Sequence, residues 1–447
     1  MDIIKIGIER MLYPYMEKKN GNSIRKYTKE LIETQKLSKE ELQALQEARL
    51  RDLLIHCADN VPAYKDIDKS LAAADPFAAL AKIQPLSKKV FRENSESFFA
   101  SNLPESSRIP NKSGGSTGLP MHFFMDRQQV EHYEAARWRG LSWYGITNGS
   151  RSVMVWGSSI ELSLKDQKAH IREDKYLKNR EVLSAYELNA DDGGKYIDYL
   201  NSYKPEYLYG YSTALTAFAK AIEKAGKDKL KIKLKAVICT SESLFDWQRT
   251  LMSEIFGCPV SGEYGARDAG ILAYMCPCGG VHITAENCIL EILDPRTLQP
   301  VKTGETGVIA VTDLFTRVQP RLRYLIGDTA SLSDADCPCG RKLPLIKALE
   351  GREDALLVAE GGRLVHGNFA NQIIRDYPMV SGFQLIQHTP QTATLRLAGK
   401  PEEIPAETIK KLISDNLPGV EIGLEYADAI APAASGKIRY SIREFDL

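Results

Sequence analysis

The chain reads as an α/β protein with a large, multi-sheet N-terminal domain over residues 1–350 and a small α+β domain over residues 351–447. Three observations predict this. A length of 447 residues exceeds what one small core supports, so two domains are expected. Between about residues 110 and 330, β-rich apolar runs alternate with helical ones, the pattern of largely parallel sheets. After "ALEGRED" the alternation gives way to short strands around a Gly-Gly turn, which places the boundary near Gly351.

The N-terminal stretch "MDIIKIGIERMLYPYMEKKN" mixes apolar residues with Lys, Glu and Arg, and its first helix offers a face to a membrane surface or a partner. It lacks the apolar core and small-residue cleavage site of a signal peptide. "SKEELQALQEARLRDLLIHCADN" is an amphipathic helix, with Ser38 as N-cap, Glu41 three residues on, and Pro62 closing the segment. "SVMVWG" and "LKAVICTSE" read as buried strands; "STALTAFAKAIEKAG" and "DWQRTLMSEIFG" read as helices ended by Gly226 and Gly257. "CILEILDP" and "GVIAVTDL", separated by a turn-rich segment, suit antiparallel strands. In the small domain, "ALLVAEGGRLVHG" predicts two short strands and "NFANQIIRDYP" a helix. "GFQLIQHTPQTATLRLAG" predicts an alternating strand and "AETIKKLISDNL" a further helix.

Composition excludes several classes. Hydrophobic content is 43%, and 58 basic residues balance 58 acidic ones for a net charge of +0, so a nucleic-acid partner is not expected. No run approaches the ~20 apolar residues of a membrane span. A cytoplasmic protein follows, whose eight cysteines are reduced, so that clustered ones point to metal. "CPCGGVH" and "CPCGRKLP" form such clusters. Cys276, Cys278, His282, Cys337 and Cys339 supply five candidates for the four positions of a structural zinc ion. Cys57, Cys239, Cys258 and Cys288 are isolated and read as core.

Four further motifs carry chemistry, each with an ordinary alternative. In "NKSGGSTGLPM", Ser113, Gly114, Gly115, Ser116, Thr117 and Gly118 offer hydroxyls and backbone N–H groups to a phosphate, or form a flexible turn; the run is not a Walker A sequence. In "SGEYGARDAG", Tyr264 and Asp268 suit a base-packing ring and a magnesium ligand, or a polar turn. Asp328 in "YLIGD" suits ribose hydroxyls, or ordinary turn chemistry. Lys437 in "AASGKIRY" suits phosphate charge, or a solvated surface.

The order of these motifs resembles the adenylate-forming superfamily. "LQEARLRDLLIHCADNVPAYKD", "KPEYLYGYSTALTAFAKAI", "TSESLFDWQRTLMSEIFG" and "EYGARDAGILAYMCP" are similar to its phenylacetate–CoA ligase and CapK-type branch. The resemblance spans about residues 35–445. It implies an ATP-dependent ligase that joins a small-molecule carboxylic acid to an acyl acceptor, coenzyme A in one group and a sugar or amino acid in surface-polysaccharide biosynthesis in the other. It also implies a mobile C-terminal domain that rotates at Asp354. The 113–118 loop would cover the β- and γ-phosphates. Glu242, Glu263, Tyr264 and Gly265 would surround the adenine, and Asp268 would help hold Mg2+. Asp328 would take the ribose, Arg352 would approach the nucleotide, and Lys437 would support adenylation. Trp138, Trp143, Tyr209 and Tyr211 are candidates for an acyl pocket, against core packing. Met121 stands where relatives carry a lysine, so one positive contact is missing from the loop.

Overall fold

The structure, a computed structural model, describes residues 3–112, 121–156, 175, 178–185, 187–374, 376–431, 439–445 and 447. Residues 113–118 and Lys437 lie outside the described residues. The hairpin that flanks the glycine-rich run is described: β1 (Ile109–Lys112) pairs antiparallel with β2 (His122–Met125), Lys112 opposite His122.

Among the described residues, the main element is an 11-stranded mixed sheet. Its parallel half consists of β3 (Ser152–Trp156), β4 (Arg180–Ser184), β5 (Tyr207–Tyr211), β6 (Ala236–Thr240) and β7 (Val260–Ala266). β6 is buried at all five positions, as a continuous apolar run in a parallel sheet must be. The helices Ser212–Gly226 and Asp246–Phe256 cover this half, Leu215, Phe218, Ile222 and Met252 packing with Val153, Leu208 and Val237. Gly257 ends the second helix in the left-handed conformation (φ 63°).

From β7 the sheet runs on antiparallel through β8 (Gly270–Met275) and β9 (Val281–Ile283). β10 (Cys288–Leu293), β11 (Gly307–Asp313), β12 (Tyr324–Ser333) and β13 (Leu345–Arg352) complete it, β13 pairing with β9. The expected parallel and antiparallel regions are therefore joined edge to edge. The join depends on Gly265, where a Cβ would run into the carbonyl of Gly270. The helix Lys39–Asn60 packs across the antiparallel half through Leu50, Leu53 and Leu54, and starts with the Ser38–Glu41 capping box.

Beyond β13, β14 (Leu356–Val358) and β15 (Leu364–His366) form a two-stranded ladder. β16 (Gly382–Thr389), β17 (Thr392–Ala398), β18 (Glu421–Ala427) and β19 (Ser441–Arg443) form a four-stranded sheet. The helix Ala406–Asn416 packs Ile409 and Ile413 against Leu385, Leu395 and Leu397 in a separate core. "GFQLIQHTPQTATLRLAG" is thus a hairpin rather than one strand. Pro390 has no N–H for a ladder, and Thr389 pairs with Thr392 across the turn.

Candidate active site

The C-terminal ends of parallel strands are where open α/β sheets bind ligands. The predicted polar residues cluster there. Glu242 follows β6, and its Oε2 accepts from Thr213, just past β5, through the backbone N–H (2.9 Å) and Oγ1 (2.7 Å). Tyr264 lies on β7 and donates its phenol O–H to Asp328 Oδ2 (2.9 Å). Burial, then the Asp328 carboxylate, pushes this phenol well above its usual range, so it remains a donor at neutral pH. Asp328 on β12 faces Arg352 on β13, whose Nη1 donates to Oδ1 at 2.8 Å. Gly327 (φ +79°) gives the guanidinium room: a Cβ there would come within 2.8 Å of Arg352 Nη2.

Asp268, in the turn between β7 and β8, is 4% exposed. Its Oδ2 accepts from the phenol of Tyr324 (2.8 Å) and lies 3.6 Å from Lys88 Nζ. Burial, then Asp268, raises the Tyr324 pKa. The same phenol is 3.5 Å from Met121 Sδ, at the end of the loop that joins β1 to β2. Arg267 reaches the start of that loop at the Lys112 carbonyl (3.4 Å). Lys88 lies outside every motif, and Tyr324 opens "YLIGD", where only Asp328 was given a role. They become visible only when Leu86 pairs with the backbone on either side of Tyr324.

A second cluster lies away from these strand ends. Donor atoms of Cys276, His282, Cys337 and Cys339 all fall within 4.8 Å of one another. Cys276 and Cys337 sulfurs are 3.6 Å apart, and Cys339 Sγ is 3.2 Å from His282 Nε2. Each Cys-x-Cys knuckle closes on a turn, Gly279 N–H to Cys276 and Gly340 N–H to Cys337. Three thiols and one imidazole, mostly buried, fit a tetrahedral zinc ion with every position filled by protein. Cys278 is exposed and outside the cluster. Cys57, Cys239, Cys258 and Cys288 are buried core residues, as expected.

No protein-family model matches the chain. Protein CapK of Staphylococcus aureus is 25% identical over 429 residues, covering 93% of both chains. The chain is similar to the CapK and phenylacetate–CoA ligase branch of the adenylate-forming superfamily. The phenylacetate–coenzyme A ligase of Thermus thermophilus is 24% identical over 74% of each chain. Among solved structures, 2-hydroxyisobutyryl-CoA ligase in its postadenylation state with 2-HIB-AMP aligns with a TM-score of 0.70 at 17% identity, covering 92% of this chain and 91% of that one.

Glu263, one expected neighbour of the adenine, is bonded within the protein. Glu263 precedes Tyr264 on β7 and so points to the opposite sheet face. Its carboxylate is consumed inside the protein by Tyr209 (2.7 Å), Thr240 (3.2 Å) and Arg137 (3.2 Å). The side chain braces the strand, and Tyr264 lies on the other sheet face. Trp138, Trp143 and Tyr209 join one core cluster, the packing alternative, while Tyr211 pairs with Trp156 (4.2 Å). Asp354 lies in the turn Glu353–Ala355 directly after Arg352.

Proposed function

We propose that this protein is an ATP-dependent ligase that activates a carboxylic acid as an acyl-adenylate and passes the acyl group to a thiol, amine or hydroxyl. The observation that supports this most directly is the grouping of Glu242, Tyr264, Asp268, Asp328 and Arg352 around the ends of β6, β7 and β13 and the middle of β12. A carboxylate is a poor electrophile. Its oxygen attacks the α-phosphorus of ATP, the bond to the β-phosphate oxygen breaks, and pyrophosphate leaves. The mixed anhydride that remains reacts with the acceptor, releasing AMP.

In this reading Asp328 and Arg352 bind the ribose, Tyr264 packs on the base, and Glu242 closes the adenine end. Asp268 is the carboxylate for Mg2+, an ion commonly held by one or two carboxylates plus substrate phosphates; bound there, it would neutralise phosphate charge. Lys437 stabilises the charge that builds at the α-phosphate, and rotation at Asp354 withdraws it for the second half-reaction. Burial, then the charge of Glu242, raises the pKa of Tyr440. Cys276, His282, Cys337 and Cys339 hold a structural zinc ion, in keeping with a reducing, cytosolic setting.

The names of the relatives favour coenzyme A as one acceptor to test first, with amino acids and amino sugars beside it. Lys437→Ala is expected to lower acid-dependent pyrophosphate release at least ~100-fold while ATP still binds. Unchanged release would remove the role assigned to this lysine.

A further inference from the structure

Lys88 is held in place more firmly than a surface lysine requires. It opens the helix Lys88–Glu93, which Ser87 caps by accepting from the Val90 N–H (3.2 Å). The preceding Leu86 bonds to the strand carrying the site, its N–H to the Arg323 carbonyl (3.0 Å) and its carbonyl to the Leu325 N–H (2.9 Å). Phe91, fully buried, packs against Tyr324 with ring centres 6.2 Å apart. These contacts bring Nζ to 3.6 Å from Asp268 Oδ2 while the side chain stays 35% exposed. The ammonium thus stands between a buried carboxylate and solvent, with a flexible arm.

Met121 points to the same place. It is 4% exposed, packs against the Tyr324 phenol, and brings no charge to that edge of the site. A nucleoside triphosphate brings several negative charges past the α-phosphate, and ammonium groups bind such oxygens as point charges. We propose that Lys88 is a phosphate-binding residue. It is parked on Asp268 in the free protein and pairs with the β- and γ-phosphates of ATP when nucleotide enters. This rests on the ligase reading above, and goes beyond it in assigning the cation from a helix outside the sheet.

The test is equilibrium binding of ATP and, separately, AMP to the full-length protein in the presence of Mg2+, for wild type, Lys88→Met and Lys88→Arg. Lys88→Met is expected to weaken ATP about tenfold and leave AMP unchanged, since AMP lacks the outer phosphates. Lys88→Arg is expected to restore most of the ATP affinity. In turnover, KM for ATP rises and KM for the acid does not. Equal losses for ATP and AMP would mean a structural role, and an unchanged ATP affinity would mean no role; either overturns the proposal. Wild type that binds no ATP would instead overturn the ligase reading itself.

Discussion

Arg139 and Glu286 form an ion pair 3.0 Å long with side chains 1% and 0% exposed. Such a pair is a weak source of net stability, but removing one partner strands a charge in the interior. Arg139→Met is therefore expected to lower unfolding free energy by about 3–5 kcal/mol, measured by denaturant titration. His132 sits nearby, its ring stacked between Phe315 (3.3 Å) and Tyr27 (4.0 Å). Burial, then the Arg49 charge, lowers its pKa from 6.5 to about 3. In the unfolded chain this imidazole protonates below 6.5; in the folded one it stays neutral down to about 3. Its contribution is thus intact above 6.5 and is lost as pH falls through that window. His132→Phe keeps the stacking, so the variant should lose less stability than wild type between pH 7 and pH 5. Equal losses on acidification would show that His132 does not titrate on unfolding.

At the scale of elements, the two cysteine knuckles connect β8–β9 to the loop before β13. With zinc bound they would act as a clamp on the antiparallel half of the sheet. Mass spectrometry under native conditions is expected to find one zinc per chain. Cys337→Ser should lose it and melt several degrees lower, whereas the exposed Cys278→Ser should do neither. Wild type without metal would contradict the clamp.

Much at this scale was legible in the sequence because the signals are local. Ser38 and Glu41 cap the helix that follows them, Gly257 ends another, and Cys276 and Cys278 announce a knuckle. The orientation of Glu263 was not legible, because adjacent residues in a motif take opposite faces once they enter a strand. Nor was the hairpin at Pro390: the alternation of the two strands continues through the turn and reads as one. Lys88, Tyr324 and Arg137 were missed for a different reason. Lys88 and Arg137 meet their partners across more than 100 residues of chain, by the docking of helices onto the sheet. For Tyr324 the partner is Asp268, 56 residues away.

At the scale of the whole molecule, one continuous sheet places Glu242, Asp268 and Asp328 on strands or strand ends from its parallel and antiparallel halves. On the ligase reading, the proposed nucleotide contacts would therefore depend on the β7–β8 join as much as on the motif residues. The most direct test of the ligase reading is pyrophosphate release from purified protein, ATP and Mg2+ against a library of carboxylic acids, with and without coenzyme A, amino acids and amino sugars. The account predicts release that requires one class of acid, is lost in Asp328→Ala, and is accelerated by a single class of acceptor. ATP binding with no acid-dependent pyrophosphate release across the library would contradict it, and would leave a nucleotide-binding protein without ligase chemistry.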